Sequence, residues 1–172
     1  IRFAVADRRD LATPVAEEAA RSLSARGIDA RVVITGAIGP NKKADQLARA
    51  MASAPDTAPI VAVADSDVDL EGVDLDDLLA PLDAGASAAW AAPVEVEPET
   101  LADRASASIL DASLHAFALL ASLDPSGMVG KLFAVERAAL EAAGGFGALV
   151  SHLGEDMELA RRLAAGGGSV AL

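Results

Sequence analysis

Apolar residues in this chain fall alternately into short runs and into sets spaced three and four apart. Residues 1–6, Ile-Arg-Phe-Ala-Val-Ala, alternate as a strand does and end at Asp7-Arg8-Arg9-Asp10. Thr13 followed by Pro14, with Glu17 and Glu18 close behind, predicts a helix that Thr13 caps. Val15, Ala19, Ser22 and Leu23 would form its inner face, and Gly27 would stop it. Residues 30–35 read as a second strand and 44–54 as a helix turning Leu47, Ala48 and Met51 inward. Prolines 55 and 59 break that helix before residues 60–64, Ile-Val-Ala-Val-Ala, which read as a buried central strand. Strand, helix, strand, helix, strand implies an α/β fold on a mostly parallel central sheet with right-handed crossovers.

Residues 75–82 predict a helix behind Asp74, and 87–92 a strand holding Trp90. An acidic, Pro-punctuated loop at 93–98 leads to a long helix over 99–123, with Ile109, Ala112, Leu114 and Phe117 facing inward. Residues 128–135 read as a strand and 137–143 as a helix ended by Gly144-Gly145-Phe146. Residues 155–165 read as a last helix, opened by Glu155-Asp156 and stopped by Gly166-Gly167-Gly168, before a strand at 169–172.

With 172 residues the chain is expected to be one domain with a real core. Apolar residues make up 52% but aromatics only 3%, and the abundance of Ala favours helices packed close on a sheet. A net charge of −12 argues against a nucleic-acid partner, whose phosphates need clustered Lys and Arg. It leaves room for a nucleotide bridged by a metal. Cysteine is absent, which removes disulfides and zinc–thiolate sites from consideration. No apolar run approaches the roughly 18 residues of a membrane span.

The chemistry concentrates where the third strand ends, at Val61-Ala62-Val63-Ala64-Asp65-Ser66-Asp67-Val68-Asp69. Ligands gather at the carboxyl ends of strands in open α/β sheets. Asp65 and Asp67 are two apart, so in extended chain their carboxylates share one side and repel unless a cation lies between them. Hard oxygen donors of this kind suit Mg²⁺ or Mn²⁺ shared with substrate phosphates. The same residues also read as a solvated acidic turn. Glu155 and Asp156 likewise suit a helix N-terminus with no further role.

In order along the chain come Asp10, Asn41-Lys42-Lys43, Asp65-Ser66-Asp67, Gly130-Lys131, Arg137 through Gly144-Gly145-Phe146, and Glu155-Asp156. This series resembles the nucleotide-sugar glycosyltransferases of GT-A fold, and within them family 21, the ceramide glucosyltransferase-like group with bacterial relatives that glycosylate hopanoids. The resemblance implies a metal-dependent, inverting transfer of a hexose from a UDP-sugar to a lipid hydroxyl. It implies Asp156 as general base and Asp65 and Asp67 as the DxD-like metal pair. Asp10, Asn41, Lys43, Asp65, Gly130 and Glu155 would lie on the nucleotide sugar. Lys42 stands where the family usually has Pro. The family's uracil-binding first strand would precede Ile1, and its Gln/Arg-x-x-Arg-Trp motif and membrane helices would follow Leu172. The chain is therefore expected to be a soluble piece of a longer protein anchored at the cytoplasmic face of a membrane.

Two other classes compete. A phosphoryl-transfer or receiver-like domain would use Asp10, Asp65 and a late lysine, for which Lys131 is the candidate. A non-catalytic domain of GT-A fold would serve as a binding or scaffolding module. His115 and His152 are too far apart to suggest a metal pair and read as structural or solvent-facing. Asp69, Asp74, Asp76 and Asp77 read as a solvated acidic surface and a helix start. Gly36, Gly39 and the 166–168 glycines lack the context of a phosphate-binding loop.

Overall fold

The computed structural model describes residues 1–53, 57–124 and 127–172, with the backbone only of His115 and Leu120. The helix break expected at Pro55 and the side chain of His115 lie outside the described residues. The chain forms two compact units, residues 1–57 with 144–153 and residues 58–143 with 154–172.

In the first unit, strands β1 (Arg2–Val5) and β2 (Arg31–Ile34) pair in parallel, Arg2 with Arg31 through Val5 with Ile34. Helix α1 (Ala12–Ala25) connects them and α2 (Lys42–Ser53) follows. Thr13 does not cap α1. The turn begins earlier, because the Asp10 carboxylate accepts from Ala12 N–H at 2.9 Å and the Asp10 carbonyl from Thr13 N–H at 3.0 Å. Thr13 is thereby buried inside the first turn, its hydroxyl donating to the Asp7 carbonyl at 3.0 Å. This shift turns Thr13, Ala16 and Ala20 inward and leaves Val15 69% exposed. Gly27 ends the helix as expected, at φ +81°.

The second unit holds a four-stranded sheet in the order β3 (Ile60–Ala64), β5 (Leu132–Glu136), β4 (Ala88–Trp90), β6 (Val170–Ala171). This corrects the expectation of a mostly parallel sheet. β5 runs antiparallel to both β3 and β4, and only β4 and β6 are parallel. Within this sheet β3 is an edge strand rather than the centre. The burial lies on the middle strands, where β4 is wholly buried and β5 is buried from Leu132 to Val135.

β5 alternates its side chains between two faces. Leu132 and Ala134 join Ala89, Leu78 and Leu82 in one core cluster, which seats α3 (Leu75–Asp83) on the sheet. Asp74 caps α3, its carboxylate accepting from Asp76 N–H at 2.9 Å. Trp90 meets Phe117 of α4 (Leu101–Leu123) edge to face, with ring centroids 5.9 Å apart. On α4 the inward residues are Ala107, Leu110, Leu114 and Phe117, whereas Ile109 is 69% exposed. Short helix α5 (Arg137–Ala142) and α6 (Glu155–Ala165) contribute Leu140, Leu159, Ala160 and Leu163 to the interior. Among the described residues no single helix is long and apolar enough to cross a membrane.

Candidate active site

The site of the second unit starts from strand register. β3 and β5 pair from Ile60–Glu136 to Ala64–Leu132, so the next residues, Asp65 and Lys131, face one another. The ladder continues through them, Asp65 N–H donating to the Lys131 carbonyl at 2.8 Å. Strand geometry then stops. Val68 N–H donates to the Asp65 carbonyl at 3.1 Å, folding 65–68 into a turn. Asp65 and Asp67 therefore come together by a turn, not by sharing one side of an extended strand.

The cation that two adjacent carboxylates require is present as Lys131. Its Nζ lies 2.5 Å from Asp67 Oδ2 and 3.8 Å from Asp65 Oδ2. The hydrogen bond to Asp67 holds the ammonium above its ordinary pKa, and the charges of Asp67 and Asp65 add to this against some desolvation. Asp65 is half-buried and Asp67 exposed.

The residue before Lys131 makes the second connection. Gly130 is buried, and its N–H donates to Asp156 Oδ2 at 2.9 Å. Asp156 is the second residue of α6, where the helix dipole favours a negative charge. Its Oδ1 accepts from Met157 N–H at 2.9 Å, so both oxygens are held. Glu155, the first residue of α6, is half-buried beside it. Asp65, Asp67 and Asp156 are thus linked through the dipeptide Gly130-Lys131. The sequence singled out that dipeptide and, in the receiver-like reading, grouped its lysine with Asp10 and Asp65, but did not place it between Asp65 and Asp67. The need for a cation between two carboxylates was the signal that could have done so.

The remaining candidates belong to the first unit. The Asp10 carboxylate is exposed and engaged at the start of α1. Asn41 caps α2, its Oδ1 accepting from Ala44 N–H at 3.0 Å, while its Nδ2 donates to the His152 carbonyl at 2.7 Å. Its backbone N–H donates to the Val150 carbonyl at 2.9 Å. The fold thus uses both ends of the Asn41 amide. Lys43 is half-buried in the first turn of α2. A residue not singled out from sequence, Asp45, is 8% exposed and accepts from Arg49 Nε at 2.7 Å, Gly39 N–H at 2.8 Å and Ile38 N–H at 2.9 Å. These bonds, Arg49's first, hold its pKa down at about 2. An acidic residue inside the first turn of a helix gave no hint of that burial. Asp74, Asp76 and Asp77 stay exposed at the start of α3, as a solvated acidic face should.

Among the described residues no three His, Cys, Asp or Glu side chains gather as a metal site. Two carboxylates suffice for Mg²⁺ or Mn²⁺ only where substrate phosphates and water complete the shell. Asp65 and Asp67 fit an ion shared in that way, provided the Lys131 ammonium moves aside. No curated protein and no solved structure matches the chain. The profile described as Glycosyl transferase family 21 matches it over residues 1–172. The chain thus belongs to glycosyl transferase family 21 and is a glycosyltransferase domain.

Proposed function

We propose that this domain, as a GT-A-type enzyme, moves a hexose from a UDP-sugar to a hydroxyl of a ceramide- or hopanoid-like lipid, with inversion. One juxtaposition supports the reading: adjacent residues contact the acid pair and the candidate base, Lys131 reaching Asp67 and Asp65 while Gly130 holds Asp156. Breaking the bond between sugar and diphosphate builds negative charge on departing UDP. Groups aimed at that charge lower the barrier. Lys131 offers an ammonium directly, and Asp65 and Asp67 would hold Mg²⁺ or Mn²⁺, which supplies Lewis-acid stabilisation of phosphate oxygens when bound. Asp156 acts at the opposite partner. Its carboxylate takes the acceptor's O–H proton as that oxygen bonds to the anomeric carbon and the carbon–oxygen bond to UDP breaks. A single displacement of this kind inverts the carbon. Glu155 and Gly130 flank the donor in this reading.

The test is transfer of labelled hexose from UDP-glucose and related donors to lipid acceptors, with the product's anomeric configuration read by NMR. Asp156→Asn should lower turnover by about 10²–10⁴-fold, the range of general base catalysis. Near-normal turnover of that variant would remove Asp156 as the base. The receiver-like alternative fits less well, because doubly wound folds of that kind carry a parallel sheet and β5 here is antiparallel.

A further inference from the structure

We infer that Lys131 is the resident counter-ion of the Asp65/Asp67 pair and is exchanged for the donor's metal ion when the nucleotide sugar binds. The inference rests on the proposed donor reading. It gives Lys131, which faces the leaving group in that reading, a second partner before the donor binds.

Lys131 is anchored by its backbone. Its carbonyl accepts from Asp65 N–H at 2.8 Å, and Leu132 beside it lies in the core of the second unit. Only the side chain is free to change partner, and it is 42% exposed. Its ammonium lies 2.5 Å from Asp67 and 3.8 Å from Asp65, in the position where a cation would neutralise both carboxylates. A metal ion and this ammonium therefore compete for the same oxygens. A divalent ion alone gains too few ligands from two carboxylates to win decisively. One arriving with two phosphate groups would bring further oxygen ligands with it. The displaced ammonium then has a new partner within reach of its four-carbon stem, the diphosphate itself. Exchange would offset one of the pair's two negative charges before donor arrives and deliver a positive charge to the leaving group afterwards.

The experiment measures Mn²⁺ binding by the loss of the free-ion EPR signal and UDP binding by calorimetry. Wild type, Lys131→Met, Lys131→Arg and the double variant Lys131→Met/Asp67→Asn are compared. Lys131→Met should bind Mn²⁺ without nucleotide about fivefold more tightly than wild type, the size expected for losing one partly exposed ion pair. It should bind UDP in the presence of Mn²⁺ roughly tenfold more weakly, as for one lost charge-assisted hydrogen bond. Lys131→Arg should behave as wild type, and the double variant should lose the gained Mn²⁺ affinity. Equal Mn²⁺ affinity of Lys131→Met and wild type overturns the exchange even if UDP with Mn²⁺ binds normally. UDP affinity of wild type that is unchanged by EDTA overturns it too. Gained Mn²⁺ affinity in Lys131→Met, with no UDP binding to any variant, upholds the counter-ion and removes the donor reading instead.

Discussion

Gly39 has no room for a side chain. A Cβ there would collide with Val150 Cγ1 and stand 3.2 Å from Asp45 Cβ, so Gly39→Ala should cost about 1–3 kcal/mol, read by urea unfolding. Asp45 adds to the tightness, drawing the Ile38 and Gly39 N–H groups onto one oxygen. Because these bonds and Arg49 lower the folded-state pKa to about 2, the unfolded chain takes up the proton first as pH falls. The stabilisation is therefore complete above the ordinary Asp pKa of about 3.9 and is lost as pH falls through about 2. Wild type should exceed Asp45→Asn in stability at pH 7, and the gap should close across that window in denaturation curves taken at successive pH values. None of this was legible in sequence, since Asp45 reads as an ordinary exposed residue in a helix's first turn. Asp74 was legible, because a cap needs only local order: Asp, then an apolar residue and two more acids.

At the scale of elements, local pattern located most pieces and missed which way they face. β3 and α6 run over the residues that pattern predicts, and Gly27 stops α1. The faces of α1 and α4 rotated, because alanine is too small and too frequent to mark a stripe. The buried contact fell to Ala16, Ala20 and Ala107 while Val15 and Ile109 stayed outside. Strand direction was the larger miss. Alternating elements suggest parallel crossovers, yet the long α4 and the chain after it bring β5 back antiparallel beside β3 and β4. Nothing in a five-residue apolar run encodes its direction. Leu132, at the β5 end nearest Asp65, is 6% exposed and packs with Leu78 and Leu82. Leu132→Ala should cost about 2–5 kcal/mol in chemical denaturation, and Asp74→Ala about 0.5–2 kcal/mol through the loss of the α3 cap. The first substitution should also weaken UDP binding, because it loosens the residue that follows Lys131. The second should leave that binding intact.

For the whole molecule, the antiparallel course of β5 decides which residues meet. Had β5 run parallel to β3, the residues before it would lie by Ile60, at the end remote from Asp65. Antiparallel pairing carries Gly130 and Lys131 to the Asp65 end, and the Asp156 bond to Gly130 brings the start of α6 there as well. The two groups nevertheless carry different tasks in the proposed reaction, the acid pair meeting the donor and Asp156 meeting the acceptor. A ligand that binds only the folded state raises stability by mass action, by about 2.7 kcal/mol at a hundredfold excess over Kd. UDP with Mn²⁺ should therefore raise the Tm of wild type by several degrees and raise that of Asp156→Asn as much. Asp67→Ala should show no shift, since in the proposed reading the ion shared with the phosphates would have lost a ligand. A thermal scan of the three proteins at equal nucleotide concentration checks this. An undiminished shift in Asp67→Ala would take the metal role from Asp67, whereas a shift lost in Asp156→Asn would make Asp156 a donor ligand and leave the acceptor hydroxyl without its base.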